Sequence, residues 1–144
     1  MESLRIENLA ATFNLNIVTP EKTVLSGDVT SVQVPSVEGS LGILAGHAPL
    51  LAELGVGECV VRLADGTTRQ LVVAGGFLDV AKTKVSVLAN TAEFDDEIDV
   101  SRAEASLIRA RELLSSAESV DRTAIMESMR RAQARIRIAK SGNS

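Results

Sequence analysis

The apolar residues of this chain keep two periods, and the change from one to the other divides it. Between residue 13 and about residue 90 they alternate in short runs. Leu15 and Ile17 alternate ahead of Thr19-Pro20, and Val32 and Val34 alternate with Thr30 in phase. Val60, Arg62 and Ala64 interleave with Val61 and Leu63 before Asp65-Gly66, a pair that favours a tight hairpin turn. Leu71-Val72-Val73 follows and is expected to break at Gly75-Gly76. After a turn at residues 81–84, Val85, Val87 and Ala89 share one face. A period of two puts successive side chains on opposite sides of a strand. Many short strands with no helical period between them predict an antiparallel β-sandwich or barrel. Every glycine but Gly142 lies between residues 27 and 76, where the turns are needed.

Near Ala92 the period lengthens. Val100, Ala103, Leu107, Ala110, Leu114 and Ala117 recur at steps of three and four, and so do Ile125, Met129, Ala132, Ile136 and Ala139. Each set forms one narrow stripe on a helix. Neither stripe is apolar enough to hold a lone helix in water. The pair is therefore expected to fold back as a two-helix antiparallel hairpin with an alanine-rich seam, close in approach but small in buried area. The acidic run Glu93, Asp95, Asp96, Glu97 and Asp99 precedes the first helix, where negative charge suits the helix dipole, so Asp96 or Asp99 is the expected cap. Asp121 is expected to cap the second helix. The division that results is an extension at 1–12, a β-domain at 13–92, a helical hairpin at 93–140 and a frayed tail at 141–144.

Composition narrows what the core and the partners can be. Three Phe, no Trp and no Tyr leave Val, Leu, Ile and Ala to build the core. The lack of aromatics argues against single-stranded nucleic-acid binding, which relies on stacking platforms. Charge is unevenly spread: six Lys/Arg against thirteen Asp/Glu before Ile98, and nine against six from there on. An acidic body thus carries a basic arm, which is drawn to acidic surfaces. The single cysteine, Cys59, sits in an apolar strand and reads as a buried thiol, and no cysteine cluster points to a metal. The amino terminus does not read as a signal peptide, and no stretch approaches the ~20 apolar residues of a membrane span. Membrane association is expected only through a partner.

Three groups of residues carry candidate chemistry. The glycine-rich loop from Glu38 through His47 to Leu50 lacks both the P-loop ending and the three-glycine dinucleotide pattern, so it reads as a tight turn with His47 bonded locally. Arg102 and Arg109 are seven apart, and Arg131 and Arg135 are four apart. In a hairpin these four guanidiniums are expected to converge, an arrangement that suits a polyphosphate because each offers a bidentate fork. Arg130, Arg131, Arg135, Arg137 and Lys140 crowd the end of the second helix, with no acid after Glu127. Part of that charge complements the helix dipole. Nothing in the chain has the spacing of an acid–base or nucleophilic set, so no catalytic residue is expected.

The loop Gly42-Ile43-Leu44 with Gly46-His47-Ala48-Pro49-Leu50 resembles the central-stalk epsilon subunit of F-type ATP synthases. The likeness continues in order through Thr19-Pro20, Val32-Gln33-Val34 and Gly75-Gly76-Phe77-Leu78-Asp79-Val80, and covers roughly residues 13–140. Ile98-Asp99-Val100-Ser101-Arg102-Ala103 resembles the ATP-binding hexad of many bacterial members at every fixed position. The resemblance implies a non-catalytic rotor part that binds the γ subunit and the ring of c subunits through its β-domain. It implies Glu38, Ser40, Leu41 and His47 as the contact surface. It implies ATP as a regulatory ligand, with Glu93 and Asp99 toward the nucleoside and Arg102, Arg109, Arg131 and Arg135 on the phosphates. It also implies that the basic helix, when extended, meets γ and a β subunit of the catalytic head and restrains hydrolysis, at the cytoplasmic face of the cell membrane. The competing expectation is a free-standing binding module whose basic arm grips nucleic acid or an acidic protein.

Overall fold

The computed structural model describes residues 11–116 and 121–142. The expected extension lies almost wholly outside these residues, as do Ala117 of the first stripe and the last two residues of the tail. Seven strands come first: β1 (Phe13–Val18), β2 (Thr23–Ser36), β3 (Gly39–Leu44), β4 (Leu50–Glu53), β5 (Val56–Leu63), β6 (Thr68–Val80) and β7 (Lys84–Phe94). A 3-10 turn at Asp95–Glu97 leads to helices α1 (Val100–Ser115) and α2 (Arg122–Gly142).

The strands close on themselves. β1 pairs with both β7 and β2, and β7, β6, β5 and β2 complete the ring, with β3 added beside β2 and β4 beside β6. Closure removes most of the exposed strand edge. The pairings are antiparallel as expected, except the β1–β7 seam, which is parallel. These two strands lie at opposite ends of the domain, so no hairpin constrains their direction.

Two long strands turn the corners of this flattened barrel. In β2 the register against β5 slips between Val29 and Ser31, a bulge that bends the strand. In β6 the corner is Gly75-Gly76, which does not break the strand as expected. Up to Ala74 it pairs with β5, and from Phe77 with β4. Both glycines have positive φ, +70° and +111°. A Cβ on Gly76 would overlap the Leu88 carbonyl oxygen of β7. Glycine is required there by both conformation and space.

The barrel core is built as composition dictates, from residues such as Leu15, Ile17, Val34, Val61, Leu71 and Val87, all fully buried. Cys59 is buried among them. Burial, then the nearby Glu58 carboxylate, pushes its thiol up to about 12. The Asp65-Gly66 hairpin forms as expected, with Gly66 at φ +93° and the Leu63 N–H donating to the Thr67 carbonyl.

The last strand runs to Phe94, two residues beyond the expected end at 92. Asp99, not Asp96, caps α1: its Oδ1 accepts from the Arg102 N–H at 3.1 Å. Asp96 lies within the 3-10 turn. Asp121 caps α2 as expected, accepting from the Ala124 N–H at 3.2 Å. Ala103 and Ala110 of α1 and Ala132 and Ala139 of α2 are buried, while Leu107, Leu114, Ile125, Met129 and Ile136 stay half-buried. The seam is as thin as the alanine stripes imply. The sequence reading missed a second buried stripe on α2, Ala134 and Ile138, which packs on Val72 of β6 with Ile98 beside it. The hairpin is therefore folded down against the barrel.

Candidate functional site

Strand pairing determines what faces the hairpin. Val72 of β6 stands opposite Glu93 of β7, so both side chains leave the sheet on the same side. Val72 packs on Ala134 and Ile138 of α2. Glu93 must then face α2 as well, and it meets Arg135, which lies one residue past Ala134. The Arg135 Nε–H donates to Glu93 Oε1 at 2.5 Å, and both side chains are partly exposed.

This pair forms one wall of a cavity of about 310 Å³ between the end of β7 and the two helices, lined also by Glu97, Asp99, Arg102, Ala103 and Ser106. Two of its carboxylates are engaged locally: Asp99 caps α1 through the Arg102 N–H, and Glu97 Oε1 accepts from the Phe94 N–H at 2.9 Å. Arg102 is exposed at its rim. Three carboxylates and two guanidiniums therefore surround the space, and the guanidiniums come from different helices.

Of the residues expected here, the structure brings together Glu93, Asp99, Arg102 and Arg135. The other two arginines line neighbouring spaces. Arg109 lines a small groove along the helix seam with Ser106, Ile125 and Ser128. Arg131, one turn before Arg135, lines a cleft of about 700 Å³ against the barrel, with Arg130, Glu127 and Asn90. Two of the four expected guanidiniums, Arg102 and Arg135, line the shared cavity. Residues four apart differ by about 40° around a helix and 6 Å along it, and this one-turn offset along α2 puts Arg131 beside Asn90 while Arg135 meets Glu93. Glu97 and Ser106 were missed. Glu97 sits in the quoted acidic run, and Ser106 is one turn from Arg102, so helical spacing alone could have found the second.

The expected contact surface at residues 38–47 also divides. Glu38 and Ser40 lie at the start of β3 and His47 beyond its end, and the strand between spans about 17 Å. Ser40 Oγ accepts from Gln33 Nε2 at 2.7 Å, and Leu41 packs on the barrel core. His47 is exposed, its Nδ1 2.8 Å from the Ala48 carbonyl oxygen, beside the turn between β6 and β7. The turn holding Glu38 is at the hairpin end of the barrel, His47 at the opposite end. Arg130, Arg137 and Lys140 are exposed on α2, and Arg131 and Arg135 half-buried.

One further feature is uncovered. Phe77 and Leu88 stand opposite each other on β6 and β7, with Leu51 of β4 diagonally beside them. They are 53%, 48% and 71% exposed, while the adjacent Leu78 is fully buried. They form an apolar patch on the outer side of the barrel.

The β-sandwich domain of the ATP synthase delta/epsilon chain matches residues 12–95, and its long α-helix domain matches residues 96–140. The chain belongs to the ATP synthase delta/epsilon family. Its relatives include the ATP synthase epsilon chain of Solibacter usitatus, 44% identical over 129 residues, which cover 89% of this chain and 96% of that one. The epsilon chain of Halalkalibacterium halodurans is 45% identical over 131 residues, covering 89% and 97%. The fold recurs in the solved Euglena gracilis mitochondrial ATP synthase assembly of OSCP, F1 and c-ring, with a TM-score of 0.80 at 23% identity over 93% of this chain and 82% of that one. The epsilon-type architecture, a β-sandwich followed by two helices, is thus present from end to end of the described chain. Among the described residues, no helix is long and apolar enough to cross a membrane.

Proposed function

We propose that this epsilon chain is a non-catalytic rotor component of the central stalk, with the barrel as its coupling part and the hairpin as its regulatory part. The observation that carries the first half is the apolar patch of Leu51, Phe77 and Leu88. Three large apolar side chains contiguous on a sheet face are costly to leave in water and mark a protein contact. The γ subunit is the partner for this face. The far end of the barrel, with His47 and the 64% exposed Leu44, rests on the c-ring, so the chain meets the membrane only through that ring and on its cytoplasmic side. Phe77→Asp tests this: the substituted side chain is already exposed, so the fold should survive while affinity for purified γ falls at least about tenfold. Unchanged affinity would refute the assignment.

The regulatory half rests on how lightly the hairpin is held. Its docking contact includes Ala134 and Ile138 on Val72, Ile98, the Glu93–Arg135 pair, and an approach of α2 to β5. Such a contact is worth only a few kcal/mol, the range in which a ligand or partner can shift a two-state equilibrium. Extended, the basic face of α2 with Arg130, Arg137 and Lys140 meets γ and an acidic surface of the catalytic head and restrains hydrolysis. ATP, with its phosphates on Arg102 and Arg135, holds the two helices side by side and opposes that extension. Arg109 and Arg131 join the phosphates only if their side chains swing toward the shared cavity. Calorimetric titration of ATP into the full chain tests the ligand: Arg102→Ala together with Arg135→Ala should abolish saturable binding.

A further inference from the structure

The cavity between Arg102 and Arg135 already has an anion in it. Glu93 Oε1 sits 2.5 Å from Arg135 Nε and occupies the donor that one prong of a bidentate phosphate contact through Nε would use. The other two carboxylates of the cavity, Asp99 and Glu97, are engaged at the backbone N–H groups of Arg102 and Phe94. Glu93 differs from both, because it is spent on one of the two guanidiniums that face the space. With three carboxylates around two guanidiniums, an incoming phosphate chain meets a net negative wall unless one acid moves aside.

We infer that Glu93 is a built-in competitor for phosphate at this site: a polyphosphate ligand binds by displacing the Glu93 carboxylate from Arg135, not by filling a vacant cationic cradle. The inference rests on reading the cavity as a polyphosphate site, and it deepens that reading. It assigns Glu93 a role opposite to that of a ligand contact. Glu93 ties β7 to α2 when the cavity is empty and sets a threshold for the ligand, so that only a chain of several phosphates competes well. A single phosphate offers too little charge to repay the exchange. A substitution that removes the charge and keeps the shape should tighten binding.

The test is calorimetry on the full chain at low ionic strength with two probes, ATP and inorganic tripolyphosphate. Glu93→Gln should tighten tripolyphosphate about five- to tenfold, the size carried by one partly exposed ion pair and one nearby like charge. Glu93→Ala should do the same without adding an amide donor. Glu97→Gln removes a charge from the same wall but not from Arg135, and should change affinity less than about twofold. Arg135→Gln should weaken both probes. Unchanged or weaker tripolyphosphate binding in both Glu93 variants, with the unsubstituted chain still binding, would overturn the inference and leave the site. Equal gains in Glu93→Gln and Glu97→Gln would overturn it too, because net charge would then suffice. Failure of the unsubstituted chain and of both Glu93 variants to bind either probe would overturn the site itself.

Discussion

Arg69 lies over the ring of Phe94, its guanidinium carbon 4.0 Å from the ring centroid. Phe94 is the last residue of β7, and the connector to the helices starts directly after it. Its N–H is also held by Glu97. The stack therefore anchors the point where barrel gives way to hairpin. Phe94→Leu should cost about 1 kcal/mol, and a double-mutant cycle with Arg69→Gln should show a coupling of about 0.5–1 kcal/mol in thermal unfolding. Full additivity would mean that the stack holds nothing.

The largest buried side chain in the docking contact is Ile138. Ile138 is fully buried, with Val72 and Ala134 as its buried neighbours. Ile138→Ala should cost about 2–4 kcal/mol of docking, and the barrel core contains none of it. Amide exchange should rise along α2 while the strands keep their protection. A matching loss of protection in β5 and β6 would show that hairpin and barrel melt as one unit.

How much of this was legible in the sequence follows from which contacts are local. Alternation in β1, β2 and β7 reads directly because each buries one face. The alanine seam reads directly because both stripes repeat within their own helix. Gly75-Gly76 was misread as a break, because a corner that passes a strand from β5 to β4 has the same local signature as a turn. Ala134 and Ile138 were missed because the surface that covers them, Val72, lies more than sixty positions away. The separation of Arg131 from Arg135 has the same origin. Helical spacing gives the offset between two side chains, but only the docked barrel decides what each one meets. The Glu93–Arg135 pair spans 42 positions, and no local pattern announces it.

The corner glycine offers a sharp stability test. Gly76→Ala meets both a positive φ and overlap with the Leu88 carbonyl oxygen, and should cost about 3 kcal/mol or prevent folding. Gly66→Ala also has positive φ but opens onto empty space, so it should cost only about 1 kcal/mol. Denaturant midpoints of the two variants decide the order, and a reversed order would remove the corner argument.

Cys59 gives the chain an alkaline limit. Its thiol is raised from 9.0 to about 12 by burial and by Glu58. The folded state holds this proton more tightly than the unfolded chain does. The contribution is therefore complete below pH 9 and is lost as pH rises from 9 toward 12. The difference in stability between the native chain and Cys59→Ala should be flat below pH 9 and shrink above it. Native Cys59 should also resist thiol reagents at pH 8 until the chain is unfolded. Rapid labelling of the folded chain would contradict its burial.

The central claim is that coupling resides in the barrel and regulation in the hairpin. Its most direct test is ATP hydrolysis by the reassembled synthase carrying a chain that ends at Phe94, beside one carrying the full chain. The account predicts that both complexes assemble and that the truncated one hydrolyses ATP faster, most clearly at low ATP. Equal hydrolysis across the ATP range would contradict the regulatory role, and failure of the truncated chain to assemble would contradict the division of labour.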